Sequence, residues 1–364
     1  MKIKEIIGCI EKQAPLQLQE SYDNSGLIIG SAETEVTKAL ICIDVTEKVI
    51  NEAIADNCDM IISHHPLIFG GIKKISDSDF IGNCIIKAIK NEIAVYSAHT
   101  NLDNVQGGVN SILCQKLGLT NCKILKPQKN ILKKLATFCP ADKAEVVRKA
   151  LFDAGAGHIG NYDCCSYNTE GSGTFRALEN AKPYVGEINK LHFENEVKIE
   201  IIYPAFIENN LLKALFASHP YEEVAYDIYP LENKYNKAGE GMIGELSEAK
   251  DCGIFLREVK NILGTGTIRH TKIIKQVIKR IAVCGGAGSF LIKDALSANA
   301  DILLTADLKY HQFFDTEDKI IIADIGHYES EQFAKEILYE ILNENFPTFA
   351  VQISKVNSNP VFYI

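Results

Sequence analysis

The 364-residue chain has no Cys-x-x-Cys pair, no basic excess and no apolar run longer than a strand. Each absence excludes something. Eleven cysteines would suit a disulfide scaffold in a small secreted chain, but scattered through a chain this long they read as buried thiols. Cys164 and Cys165 are the one adjacent pair, and strand alternation would point them to opposite faces, which argues against a joint role. A net charge of -9 offers no basic stripe to displace phosphate counterions, so no nucleic-acid partner is expected. The apolar stretches are too short for a lipid-facing span, and Met1-Lys2-Ile3-Lys4-Glu5 opens no secretion signal. A cytoplasmic protein without a membrane partner is expected.

What is present reads as an ordinary globular composition, 46% hydrophobic and 23% charged, in a chain long enough for two or three domains. Residues 2–20 read as helical up to Pro15, with Ile3, Ile6, Ile7 and Ile10 at amphipathic spacing. Strands at 38–44, 59–63 and 93–97 then alternate with helices at about 46–57, 79–91 and 108–117. That alternation predicts a largely parallel sheet covered on both faces. From about Pro127 to Asn236 the pattern changes to short strands, two helical patches and Gly-rich segments, which reads as a separate α+β domain. The alternation resumes near Gly239, and Arg280–Cys284 followed by Asp301–Thr305 echoes Lys38–Ile43 followed by Asp59–Ser63. The expected fold class is therefore α/β, with two similar α/β halves (1–126 and 238–364) forming one domain and residues 127–237 inserted between them.

The chemistry-bearing residues sit after the predicted strands. Met60-Ile61-Ile62-Ser63 ends in His64-His65-Pro66, where Pro66 forbids a helix from starting and leaves two imidazoles at a strand edge. His99 is followed four residues later by Asp103, and His327 four residues later by Glu331. On a first helical turn such a pair shares one face. Paired strand ends would deliver His64, His65, His99, Asp103, His327 and Glu331 to one crevice. Mixed imidazole and carboxylate ligands suit zinc, manganese, iron or cobalt, whereas calcium calls for an oxygen cage. Six ligands exceed the need of one tetrahedral ion, so two ions roughly 3.5–4 Å apart are expected, with Glu331 as the bridge. His99 is expected to bond a ligand rather than the metal.

Weaker candidates surround this set. Asp307 aligns with the histidine pair of the first half and can face the same crevice, and Lys309-Tyr310-His311 follows it. Cys284-Gly285-Gly286-Ala287-Gly288-Ser289 is a strand-to-helix turn, suited equally to an anion or to a plain tight turn. Ser218-His219-Pro220-Tyr221-Glu222-Glu223 reads either as a recognition loop or as a Pro-initiated helix.

Taken together, Tyr22-Asp23-Asn24-Ser25-Gly26-Leu27, Ser63-His64-His65-Pro66-Leu67-Ile68-Phe69, Ala98-His99-Thr100-Asn101-Leu102-Asp103, Gly107-Gly108-Val109-Asn110 and Gly326-His327-Tyr328-Glu329-Ser330-Glu331 resemble the GTP cyclohydrolase 1 type 2 homologs, the NIF-three-like dinuclear metal-centre proteins. The inserted segment, through Gly157–Tyr162 and Ser218–Glu223, is similar to the longer bacterial form. The resemblance implies two divalent ions (zinc, manganese or iron) on His64, His65, Asp103, His327 and Glu331, with Glu331 bridging. It also implies a homohexamer and a PII-like inserted domain. One departure is Thr305-Ala306-Asp307, where a Thr-Gly-Asp turn is expected. The family name implies hydrolytic opening of the guanine ring of GTP, but a triphosphate calls for clustered Arg and Lys. Only Lys73-Lys74, Lys309 and Arg269 are available near the proposed ligands. Two readings follow: a metal-dependent hydrolase of a nucleotide-like small molecule, with Glu331 at the metal pair and Glu329 or His99 moving protons, or a metal- or ligand-sensing regulator without turnover.

Overall fold

The computed structural model describes all 364 residues as a mixed α/β fold. Contacts divide the chain into two compact units, Met1–Pro127 with Lys237–Ile364, and Gln128–Asn236.

In the first unit the chain runs through α1 (Ile3–Gln13), β1 (Gly26–Ile29), β2 (Lys38–Cys42), α2 (Glu47–Ala55), β3 (Met60–Ser63), α3 (Phe80–Lys90) and β4 (Ala94–Ser97). It continues through α4 (Thr100–Asp103), α5 (Val109–Lys116) and β5 (Thr120–Gln128). The first helix ends at Gln13, before Pro15 as expected, because Pro15 cannot donate to the ladder, and a single 3-10 turn, Leu16–Leu18, follows it. The second unit holds β6 (Leu132–Pro140), α6 (Ala144–Asp153), β7 (Ser166–Arg176), β8 (Leu191–Pro204), α7 (Glu208–Ser218) and β9 (Tyr226–Pro230). These four strands form an antiparallel sheet in the order β7-β8-β6-β9. Back in the first unit follow β10 (Tyr235–Asp251), α8 (Cys252–Leu263), β11 (Arg269–His270), β12 (Val277–Ala287) and α9 (Ile292–Ser297). The chain ends with β13 (Ile302–Ala306), β14 (Ile321–Asp324), α10 (His327–Glu331), α11 (Ala334–Asn345) and β15 (Ala350–Ile353).

The first unit contains two sheets built alike. One has the order β1-β4-β3-β2-β15 and the other β11-β14-β13-β12-β10-β5. In each, three central strands run parallel (β4-β3-β2 and β14-β13-β12) with a short antiparallel strand beside the first. Every residue of β3, β4, β13 and β14 is buried, as expected of strands covered on both faces. Alternation assigns their side chains to opposite cores: Ala39, Ile41, Met60 and Ile62 pack with α1 and α11, whereas Leu40, Cys42 and Ile61 pack with α2 and α3. In the second sheet Ile302 and Leu304 face α8, and Leu303 faces α9. The carboxyl ends of the parallel strands then carry the loops Asp44, His64-His65, Ala98-His99, Asp307 and Ile325–His327, the place where open α/β sheets collect ligands. No helix is long and apolar enough to cross a membrane.

Leu338 of α11 is fully buried against this core. Leu338→Ala is expected to destabilise the protein by about 2–5 kcal/mol through a cavity that the sheet cannot collapse into, read as a lower urea midpoint with an unchanged slope.

Candidate metal centre

His64 and His65 stay in the parallel ladder after β3 has ended. Their amides donate to Cys42 and Ile43, and Ser63 Oγ donates to the His65 carbonyl at 2.8 Å, which fixes the turn before Pro66. The His64 ring is completely buried, with Nδ1 2.8 Å from the Ala98 carbonyl. A carbonyl can only accept, so Nδ1 carries the proton and Nε2 keeps its lone pair. Burial pushes His64 down to about 3, and the ring is neutral. Its Nε2 has no hydrogen-bond partner, and neither does the buried Oδ1 of Asp103, 3.6 Å away.

Glu331 stands at the centre. Its buried Oε2 lies 2.9 Å from His65 Nε2, 3.0 Å from His327 Nε2 and 3.8 Å from His64 Nε2. Burial opposes its ionisation, but the imidazoles of His327 and His65 hold it well below the usual carboxylate range. Asp103 has no such donors, so burial and the neighbouring Glu331 charge push it well up. His65 and His327 are each gripped at Nδ1 by a carboxylate at 2.7 Å, Asp44 and Asp307 respectively. Burial disfavours charge on both rings, yet these carboxylates with Glu331 outweigh it and raise His65 to about 9 and His327 to about 11. The two Nε2 atoms are then 3.3 Å apart, both aimed at one oxygen. A divalent cation that replaced the two Nε2 protons would leave neutral imidazoles with lone pairs facing it.

The ligand atoms of His65, His327 and Glu331 lie within 4.8 Å of one another, and so do those of His64, Asp103 and Glu331. Each of these His/Glu groups can hold a metal ion, and they share Glu331. His64, His65 and His99 form a third such set. Imidazole and carboxylate donors with orphaned lone pairs fit a transition metal or zinc. His99 is turned by Asp23, whose Oδ1 is 2.7 Å from Nδ1, and Asp23 itself accepts from Ser25, Thr100 and the Asn24 amide. Burial raises the Asp23 carboxyl, but His99 and these donors hold it well below its ordinary value.

The turn Gly285-Gly286 makes room for this arrangement rather than cradling an anion. A Cβ at Gly286, which has φ +59°, would overlap Glu331 Oε1. Both amides are already spent, Gly285 on Asn110 Oδ1 at 2.9 Å and Gly286 on Ser330 Oγ at 3.0 Å. Asp307 follows the departed Thr-Gly-Asp turn with φ +54° and still reaches His327. His311 is exposed against Tyr310 and does not join the cluster. Glu329 is buried beside it, with Oε1 accepting from Asn359 at 3.1 Å.

Two cavities flank the cluster. One, of about 390 Å³, is lined by Tyr22, Phe69, His99, Asp103, Phe290 and Glu331 among others. The other, of about 530 Å³, is lined by Asp44, Arg269, Asp307, Glu329, Asn359 and Tyr363 among others. His65 and His327 line both. No lysine lines either, and Arg269 is paired with Asp324. Sequence reasoning gave no role to Asp44 or Asp23. The available signal was their position, one carboxylate two residues after β2 and the other three residues before β1.

The family model Duf34/NIF3 (NGG1p interacting factor 3) matches residues 1–360. The chain is similar to the GTP cyclohydrolase 1 type 2 homolog of Bacillus subtilis, 38% identical over 99% of this chain and 98% of the relative. The homolog of Halalkalibacterium halodurans is also 38% identical, over the same shares. Among solved structures, a Bacillus cereus protein related to NIF3 is 39% identical with a TM-score of 0.87, covering 100% of this chain and 99% of that one. Staphylococcus aureus protein SA1388 is 30% identical with a TM-score of 0.79 over the same shares.

The raised His65 predicts a pH dependence for chelator-treated protein. A histidine stabilised in its charged form contributes fully below its ordinary value near 6.5, and the contribution disappears as pH rises through about 9. Urea unfolding should therefore show stability falling between about pH 7 and 10. Asp44→Asn should move the His65 titration, followed by NMR, to lower pH; an unmoved titration would contradict the role given to Asp44.

Proposed function

The chain belongs to the DUF34/NIF3 family, and we propose from its site that it is a dinuclear metal-dependent hydrolase acting on a nucleotide-like small molecule. The observation that carries this reading is the pair of orphaned buried atoms, His64 Nε2 and Asp103 Oδ1, beside a carboxylate that two further histidines share. Leaving such atoms unpaired is costly unless a ligand completes them. In this reading His64, Asp103 and Glu331 would hold one divalent ion, zinc, manganese or iron, and His65, His327 and Glu331 would hold the other. Bound there, the pair would lower the pKa of a water and polarise a substrate oxygen.

The remaining steps belong to this chain's own side chains. Asp44 and Asp307 fix the tautomers and ring planes of His65 and His327, as carboxylates behind metal-bound histidines do. Asp23 holds His99 at Nδ1 and leaves Nε2 to take or return a proton at the wall of the smaller cavity. Glu329, buried at the wall of the larger cavity, is the second group able to move a proton. Phe69 stands edge-on to His99 with ring centroids 5.5 Å apart, and with Tyr22 and Phe290 gives that cavity an aromatic rim for a planar ring. The scarcity of free cations favours a substrate with little phosphate. Assembly as a homohexamer and a PII-like inserted unit belong to the same reading, on the strength of the motifs.

Wild-type protein loaded with manganese or zinc is expected to bind two ions by elemental analysis, and Glu331→Ala fewer than one. Product analysis by mass spectrometry should show hydrolysis of a guanine nucleoside or monophosphate by wild type alone, with GTP the poorer substrate for want of free cations. His99→Gln should keep the metal and lower kcat by about 10²–10⁴-fold, as loss of a general acid–base group does. Turnover that persists in Glu331→Ala would overturn the hydrolase reading.

A further inference from the structure

The motif Ser218–Glu223 takes no part in the metal cluster, and it forms no helix. After α7 the chain turns through a buried His219, whose Nε2 is 3.0 Å from the Phe138 carbonyl, while Nδ1 accepts the Tyr221 amide at 3.1 Å. The carbonyl fixes the proton on Nε2, and burial keeps the ring neutral by lowering its pKa. Pinned in this way, Tyr221 donates its hydroxyl to Glu196 Oε1 of β8 at 2.9 Å. Glu222 reaches the other way and accepts the Lys182 amide at 2.7 Å, tying down the segment after β7. Gly173 of β7 lies where any Cβ would overlap Glu196 Oε2, so a glycine there gives that carboxylate its place.

The result is a cavity of about 490 Å³ within the Gln128–Asn236 unit. Its walls are aromatic: Phe138, Phe175, Tyr184 and Tyr221, with ring centroids 6.1 Å apart for Phe175 and Tyr221 and 6.3 Å for Tyr184 and Tyr221. Its charged lining is Glu196, Glu222 and Glu223 against the single Arg176. Aromatic faces attract cations, and a net negative lining repels anions. Phosphates and carboxylates are therefore poor occupants, and an apolar body with a positive head is a good one.

We propose that this cavity is a binding site for a small organic cation, an ammonium group on an aromatic or aliphatic body, with the ammonium at Glu196 and the ring of Tyr221 and the body against Phe175 and Tyr184. The site is independent of the metal cluster and of the hydrolase reading. A neutral ligand would leave Glu196 with the Tyr221 hydroxyl alone, whereas an ammonium adds a charge-assisted hydrogen bond.

Calorimetric titration of the full-length protein with benzylamine at pH 7.5, where it is an ammonium ion, tests this. The expected result is saturable binding at about 1 mM or tighter, with benzoate silent. Glu196→Gln should weaken it about tenfold, the loss of one charge-assisted contact. Tyr221→Phe, which keeps the ring but frees Glu196, should weaken it less. Glu331→Ala should bind as wild type, with circular dichroism confirming that each variant is folded. No saturation by benzylamine, equal binding of benzoate, or unchanged affinity in folded Glu196→Gln would each overturn the proposal.

Discussion

The structure of the first unit turns on one buried carboxylate. Glu331 is almost wholly enclosed, with its Oε2 facing three imidazoles from two different sheets. A carboxylate cannot stand in such a place alone, since desolvation costs several kcal/mol that only nearby positive charge or hydrogen bonds offset. Two histidines gripped from behind by Asp44 and Asp307 supply it, and those carboxylates are half-exposed enough to remain ionised at modest cost. What remains unbalanced is on the other side, where His64 Nε2 and Asp103 Oδ1 face each other 3.6 Å apart and neither has a hydrogen-bond partner. A divalent cation bound there would complement that half of the cluster.

The fold serves this requirement directly. Parallel strands end together, so the loops after β2, β3 and β4 in one sheet and after β13 and β14 in the other present their side chains at one edge. Small residues then allow close approach: Gly286 yields its side-chain volume to Glu331, and Gly326, with φ +89°, turns the chain so that α10 begins at His327. The i, i+4 spacing of a single helical turn sets His327 Nε2 and Glu331 Oε2 3.0 Å apart. The same logic of a pinned histidine recurs in the inserted unit, where His219 holds an aromatic wall in place instead of a ligand set.

The α/β class and the family were legible in the residues, because buried parallel strands are continuous apolar runs and the site residues follow them immediately. His64, His65, His99, Asp103, His327 and Glu331 could be grouped from strand ends alone, and the structure brings them into one cluster. Less legible was anything that depends on where a side chain's far end goes. Asp44 and Asp23 look like loop carboxylates until their oxygens are seen on His65 and His99. The Gly285-Gly286 turn has the composition of an anion cradle, and only the positions of Asn110 and Ser330 reveal its amides as occupied. In Ser218–Glu223 the Pro and paired Glu resemble a helix start, but the tertiary bonds of His219 and Glu222 overrule that local preference. The end of the first helix was legible for a simpler reason: Pro15 forbids the backbone to continue it, whatever the leucines beyond suggest.

Anomalous diffraction from crystals of the manganese-loaded protein bears most directly on the central claim. Two resolved peaks are predicted, one contacted by His64 and Asp103, the other by His65 and His327, with Glu331 touching both. A single peak, or none, at full metal loading would contradict the dinuclear centre and the role given to Glu331.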